Sequence, residues 1–588
     1  MTFTLRTSSI LKFLLLLFIG SAFSFLCAQE NLQAEVDSYL TGLPFNSFKI
    51  QLPDFPDRTY NIKNFGAVGD GHTMNTAAFK KAIDACSDAG GGKVLVPAGL
   101  WLTGPIELKS NVNFHVERGA FILFSPDHND YPIIKMPHGG FVVASPIYGS
   151  DLENIAITGT GILDGNGTTW RPLKKSKVNE SLWRKFVSSG GVVSDDGSMW
   201  WPSEAARDGL KKLEELRKTK KEITAEDLLP LRDAFRPKMV SLQYCKRVLI
   251  EGVTIQNSPS FGFNPNFCED MVVRDLKINN EYWAQNGDGI DIGSSKNVLL
   301  YKCTVTAGDD GICMKASPVK NSGEAVLQNV VIADCVVYHA HGGFVTGSNT
   351  NGGMHNIYVH NCDFVGTDVG LRFKSSRGRG GLVDNIYIKN IFMKDIVNET
   401  ILFNTYYESS GNSGKVYPVT DRTPVFKNIF IDSIFCDGAR QAASVVGLPE
   451  MPIQNIHISN SYISAGKGFE TEYAKGITLK NVEIVPAKGP VFNLNQTWDI
   501  LLDKIMYPPG AAGFMYLSGK DTKSISIFQN KNIMGQSGME YRFEFIIEWD
   551  GVMIAAMSSD ENTIQSLPWR PSHLVIAVEV FGRIVTLK

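Results

Sequence analysis

Apolar and polar residues alternate in a short phrase that recurs through the middle of the chain. It reads NVLLYKCTV from Asn297, NVVIADCVV from Asn329, NIYVHNCDF from Asn356 and NIYIKNIFM from Asn385. NIFIDSIFC from Asn428, NIHISNSYI from Asn455 and GITLKNVEI from Gly476 continue it, and earlier copies begin at Asn154, Arg247 and Asp270. From Asp270 the starts lie 27, 32, 27, 29, 43, 27 and 21 residues apart. Alternation is the period of a strand, and recurrence at about 20–50 residues is that of a solenoid. Short strands with no helix in the repeat predict an all-β chain, a right-handed parallel β-helix with rungs about 4.8 Å apart. Cys303, Cys335 and Cys362 share one phrase position, which predicts a ladder of buried free thiols.

A solenoid needs closed ends. NTAAFKKAIDACSDAGGG predicts an amphipathic capping helix with Ala78, Phe79, Ala82, Ile83 and Cys86 on its apolar face, Asn75 as N-cap and Gly90 as stop. Between about 168 and 236 the repeat gives way to charged, helix-favouring sequence, read as an insertion on the solenoid's flank. The chain then divides into a signal peptide at 1–28, a lead-in at 29–54, the β-helix at 55–533 with its insertion, and a tail at 534–588. The tail lacks the Asn-led phrase and is expected to lie outside the catalytic solenoid. The apolar run after Lys12 is too short for a confident span and sits where an export signal belongs, so a periplasmic or extracellular address is expected. No other run of spanning length occurs.

Composition narrows the function. Lys and Arg total 57 against 60 Asp and Glu, a net charge of −3. No basic field exists to hold nucleic acid. The eight cysteines after Cys27 include no C-x-x-C pair, so a zinc site of usual spacing is unsupported. Composition specifies no oligomeric state.

Four successive rungs carry a second strand that opens with Gly and an apolar residue, at Gly289-Ile290, Gly311-Ile312, Gly343-Phe344 and Gly370-Leu371. With Ile290, Ile312, Phe344 and Leu371 inward, alternation turns Asp291, Lys315, Arg372 and Lys374 outward, and Asp288 and Asp310, just before the glycine that opens each strand, are read as facing the same side. Asp309 and His341 lie at the adjoining turns. Acids, an imidazole and cations thus converge on about 15 Å of one face, three rung steps. An Asp at a turn is ordinarily a backbone cap, and a lone Lys374 would be a solvated charge. Crowded carboxylates are different: mutual repulsion should raise at least one pKa, as a proton donor requires.

At these residues the chain resembles the polygalacturonases, family 28 of the glycoside hydrolases. That family's motifs N-T-D, D-D, G-H-G and R-I-K appear in order as Asn286-Gly287-Asp288, Asp309-Asp310, Ala340-His341-Gly342 and Arg372-Phe373-Lys374. YNIKNFGAVGDG and GGGKVLVPAG near the start resemble the opening of the same family. Gly287, Ala340 and Phe373 depart from the motifs without removing a reactive group, although Gly287 is expected to loosen the turn holding Asp288.

The resemblance implies inverting hydrolysis of α-1,4 bonds between galacturonate units of pectic polysaccharide or oligogalacturonate, with no cofactor and no metal. It implies Asp309 as acid, Asp288 and Asp310 as the carboxylates that hold and activate water, and His341 as the group that tunes the acid. Arg372 and Lys374 would bind a sugar carboxylate, and Asn286 belongs to the same substrate site. Position alone adds Lys315 to the anion-binding set, since it follows Gly311 as Lys374 follows Gly370. Homogalacturonan, a rhamnogalacturonan backbone and decorated side chains all stay open. So do a calcium-dependent pectate lyase on the same aspartates and a non-catalytic glycan-binding β-helix. The insertion predicts exo-action: it precedes the rung of Asp288, and its Trp170, Trp183, Trp200 and Trp201 would suit the wall of a pocket.

Overall fold

The computed structural model describes residues 31–528 apart from 319–325, 409–413, 509–510 and 512, and beyond 528 only the short strands of the tail. Parallel strands stack rung on rung into one continuous sheet wound as a right-handed β-helix. The Asn-led phrases register one above another: Val298 pairs with Val330, Val330 with Ile357, Ile357 with Ile386, and Ile386 with Ile429. Each of these side chains is buried in the central core.

The structure explains why the phrase opens with Asn. Asn297, Asn329, Asn356 and Asn385 all adopt left-handed backbone, with φ between 53° and 57°. Asn tolerates that conformation better than other side chains carrying a Cβ. Each also donates an amide proton to the residue one rung below: Asn329 to Asn297 at 3.1 Å and Asn356 to Asn329 at 3.2 Å. The ladder satisfies turn polarity that would otherwise be buried unpaired.

The capping helix spans Thr76–Asp88 and buries the expected face of Ala78, Phe79, Ala82, Ile83 and Cys86. Asn75 does not cap it through its side chain. Its amide instead accepts from Val68 N and donates to the carbonyls of Val68, Thr73 and Leu102, which staples the loop to the first rungs. The lead-in has its own task. Residues 31–39 are helical, and Val36, Leu40, Ile50 and Leu52 cover an outer face made by Leu249, Val272, Leu299 and Val331. All eight cysteines of the described chain are free and buried. The export segment at 1–28 lies outside the described residues, as does much of the tail. Among the described residues, no helix is long and apolar enough to cross a membrane.

Candidate active site

The second strands register as expected: Ile290 on Ile312, Ile312 on Phe344, Phe344 on Leu371. All four point into the core, so period-two alternation turns their neighbours out. The three acidic groups of the motif meet there. Asp288, Asp309 and Asp310 each offer an oxygen within 4.8 Å of the others.

Every member has a specific partner. Lys374 Nζ lies 2.6 Å from Asp310 Oδ2, and Arg372 Nη1 lies 3.1 Å from Asp310 Oδ1. Lys315 Nζ bridges Asp288 Oδ2 at 3.0 Å and Asp291 Oδ1 at 2.6 Å. His341 Nδ1 lies 3.0 Å from Asp309 Oδ1, which also accepts from the backbone N–H of Asp310. Lys374 keeps only 5% of its side chain exposed and is occupied by Asp310; Arg372, at 17%, faces the groove more openly.

Burial and charge separate the three carboxyls. Burial pushes Asp288 well above the usual carboxylate range, Asp291 adds to the shift, and Lys315 opposes it. Burial also acts on Asp310, but Lys374 and Arg372 outweigh it and hold the group well below that range. For Asp309, burial is outweighed chiefly by the His341 hydrogen bond, and its pKa falls. Lys315 loses by burial but is held protonated by Asp288 and Asp291.

A raised folded-state pKa makes Asp288 a stability cost: folding stability falls as pH rises from the unfolded value, about 3.9, through the folded one. Asp288→Asn removes that loss and leaves Lys315 neutralised by Asp291. It is expected to melt ~1–3 °C above the wild type at pH 7, with the gap closing near pH 3.5. Melting curves across that pH range check it, and a lower melting point at pH 7 counts against the argument.

The turn before Asp288 is tighter than its motif implies. Gly287 N–H donates to Ala284 O at 2.9 Å, and Gly308 N–H donates to Gly287 O at 3.1 Å. A Cβ at 287 would meet Ala284 Cβ at 2.6 Å, so glycine permits a close approach here and does not loosen the turn.

The insertion docks on this turn. Trp283 packs against the small core of Leu173, Trp183 and Trp200, and buried Arg171 pairs with Glu281 at 2.7 Å. Arg236, where the insertion ends, donates to Gln285 O and to Asn286 Oδ1, each at 2.7 Å. Asn286 is therefore held by the insertion. Three of the four tryptophans do not stand ready for sugar, and Trp201 is half-buried. Trp170 is fully buried, stacked 3.4 Å from the His128 ring centroid, and Trp183 and Trp200 sit inside the insertion's core. Large apolar rings gain more from burial than from lining an open groove.

Several site residues escape the motifs. Register extends the column of Asp288 back through Phe261 to Lys238, because Val240 pairs with Phe263 and Phe263 with Ile290. Carrying the row alignment two rungs further would have found both. Lys238 lies 5.9 Å over the Phe261 ring and Lys315 lies 4.2 Å over it. Tyr407 sits 4.9 Å below the Lys374 ammonium. Lys177, from the insertion, reaches His341 and has no motif to announce it. The three aspartates could in principle hold a cation, but Lys315, Arg372 and Lys374 already bring positive charge to them, which a divalent ion would have to displace.

Clustered carboxylates and cations on the face of a parallel β-helix suit the acid–base chemistry of a carbohydrate-active enzyme. Residues 231–484 match glycosyl hydrolases family 28, and residues 59–115 match the rhamnogalacturonase A/epimerase, pectate lyase-like family. The exo-poly-alpha-D-galacturonosidase of Dickeya chrysanthemi is 30% identical over 380 residues, 62% of this chain. The match spans 59% of that relative's length. A probable polygalacturonase of Vitis vinifera is 26% identical over 73% of this chain and 81% of its own. The crystal structure of a hyperthermoactive exopolygalacturonase from Thermotoga maritima superposes with a TM-score of 0.60 at 25% identity, covering 88% of this chain and 98% of that one. The family 28 match takes in every motif of the site, from Asn286 to Lys374.

Proposed function

We propose that this protein hydrolyses α-1,4 bonds between galacturonate units and releases single units from a chain end. The observation that carries the reading is the convergence of three aspartate oxygens within 4.8 Å beside Lys315 and Arg372. A polyanionic sugar needs cations around an acid–base pair. Lys238, half-buried and without an ion pair among the described residues, would add a contact for a carboxylate on the N-terminal side.

Asp309 keeps 17% of its side chain exposed, against 4% for Asp288 and 3% for Asp310. It is the carboxyl that reaches the groove, and we assign it the acid. A bound sugar strips its remaining water, and desolvation favours the protonated form. Asp310, kept ionised by two cations, takes the proton from water, with Asp288 orienting that water. The water oxygen attacks C1 as the C1–O bond breaks, and Asp309 delivers its proton to the leaving oxygen. Inversion is expected despite a carboxylate spacing shorter than the ~6.5–9.5 Å usual for inverting enzymes. His341 holds the acid. Arg372 is the better-placed clamp for a sugar carboxylate, and Lys374 supports Asp310.

Exo-action is favoured by the insertion, whose Lys177 and Arg236 stand over the turn of Asp288 from the N-terminal side. The names of the Dickeya and Thermotoga relatives agree with it. Export follows from the apolar N-terminal run. A time course on reducing-end-labelled oligogalacturonates, with and without a chelator, tests the activity. Monomer is expected from the first time point, with slow loss of polymer viscosity and full activity in chelator. Early mixed dimers and trimers would mean internal cleavage, and an unsaturated, chelator-sensitive product would mean a lyase.

A further inference from the structure

His341 is gripped at both ring nitrogens. Nδ1 lies 3.0 Å from Asp309 Oδ1, and Nε2 lies 2.9 Å from Lys177 Nζ. An ammonium has three protons and no lone pair, so it can only donate. Nε2 must therefore present its lone pair, and the ring's single proton sits on Nδ1. Lys177 also donates to Gly308 O at 3.1 Å, the carbonyl just before Asp309. Its ammonium rests 5.2 Å over the Tyr282 ring, in the turn that leads to Asp288. Burial lowers the Lys177 pKa from its ordinary value, and Asp309 and Asp368 offset part of that shift.

We propose that Lys177 is a positioning residue which holds His341 as its neutral Nδ1–H tautomer, so that Asp309 Oδ1 only accepts and the acid's proton is confined to Oδ2. The proposal rests on the reading of Asp309 as proton donor. The competing arrangement is on hand in the same site. Asp368 Oδ2 lies 3.8 Å from His341 Nε2, less than about 1 Å beyond hydrogen-bond distance, so a small shift once Lys177 is gone lets it draw a proton onto that nitrogen. Nδ1 would then face Asp309 with a lone pair. The carboxyl proton would move to Oδ1 to satisfy it, away from the glycosidic oxygen. The other charge at His341 is Arg372, whose Nη1 lies 3.4 Å from the His341 carbonyl and does not touch the ring. An insertion 164 residues away in sequence thus becomes part of the proton-transfer apparatus as well as a wall.

The test is Lys177→Met beside Lys177→Arg, which keeps an obligate donor. Lys177→Met is expected to lower kcat on oligogalacturonate by ~10–100-fold with KM within about threefold of wild type, and Lys177→Arg to recover most of the loss. With histidine-selective ¹⁵N labelling and His341→Gln to assign the signal, the protonated nitrogen should be Nδ1 in the wild type and Nε2 in Lys177→Met. Lys177→Ala serves as the second variant if Lys177→Met melts early. A raised KM at unchanged kcat would make Lys177 a sugar contact and overturn the proposal, as would a proton that stays on Nδ1 without Lys177. The ¹⁵N readout needs no turnover. An enzyme inactive on galacturonate would thus refute the proposed activity while the tautomer is still decided.

Discussion

Asp309→Asn is expected to lower kcat on oligogalacturonate by ~10³-fold while substrate binds within a few-fold of wild-type affinity. Asn keeps the shape of Asp and the acceptor that faces His341 Nδ1, 3.0 Å away. It loses the one exchangeable proton directed at the leaving oxygen. A substrate whose leaving group needs no proton separates this role from any other. On a dinitrophenyl galacturonide the loss should shrink to less than about tenfold. Calorimetric binding and steady-state kinetics on both substrates provide the check. Turnover near wild type on the natural oligomer would remove Asp309 from the acid's role. An equal loss on both substrates would point to the water-activating side instead.

Lys374→Met should be the most destabilising single change at the site, by about 3 kcal/mol. The Lys374 ammonium and the Asp310 carboxylate are 5% and 3% exposed and 2.6 Å apart. Removing one partner leaves a buried charge supported by Arg372 and, less strongly, by Lys315. Asp310 is held well below the usual range, so the pair's contribution is present above the unfolded pKa and is lost only as pH falls through the folded one. Lys374→Met combined with Asp310→Asn removes both charges and should recover most of the stability with no recovery of turnover. Urea titrations of the two variants at pH 6 decide it. If the double variant is no more stable than the single one, Lys374 acts mainly through packing on Tyr407, which lies 4.9 Å from its ammonium.

Several of the sequence expectations fail in the structure for one shared reason. Asn75 is the N-cap residue as expected, yet its side chain caps no helix N–H and staples the loop instead, because Leu102, 27 residues on, offers its amide a carbonyl. Gly287 looked like a loosened turn and is a close approach to Ala284. Trp183 and Trp200 are read as open to sugar and are the insertion's own core, and Trp170 is buried against Tyr131 and Val143. In each case the local pattern was compatible with two environments, and a partner distant in sequence selected one.

What the sequence by itself determined is the solenoid and the row of reactive groups along it. A strand's side chains alternate by geometry, and a stacked coil repeats its register, so Asp291, Lys315, Arg372 and Lys374 could be placed on one face by counting from Ile290, Ile312 and Leu371. Asp288 and Asp310 lie two residues before Ile290 and Ile312, so strict alternation does not bring them there, and their contacts with Lys315 and Lys374 do. The left-handed turn required at every rung wrote Asn297, Asn329, Asn356 and Asn385 into the chain at matching places. Only the tertiary structure decided which charges neutralise one another, and what the insertion touches. Lys315 pairs with both Asp288 and Asp291, and Lys177 crosses to His341. A non-repeating segment has no register to count from: its contacts follow from how its own core packs and where Trp283 and Arg171 anchor it.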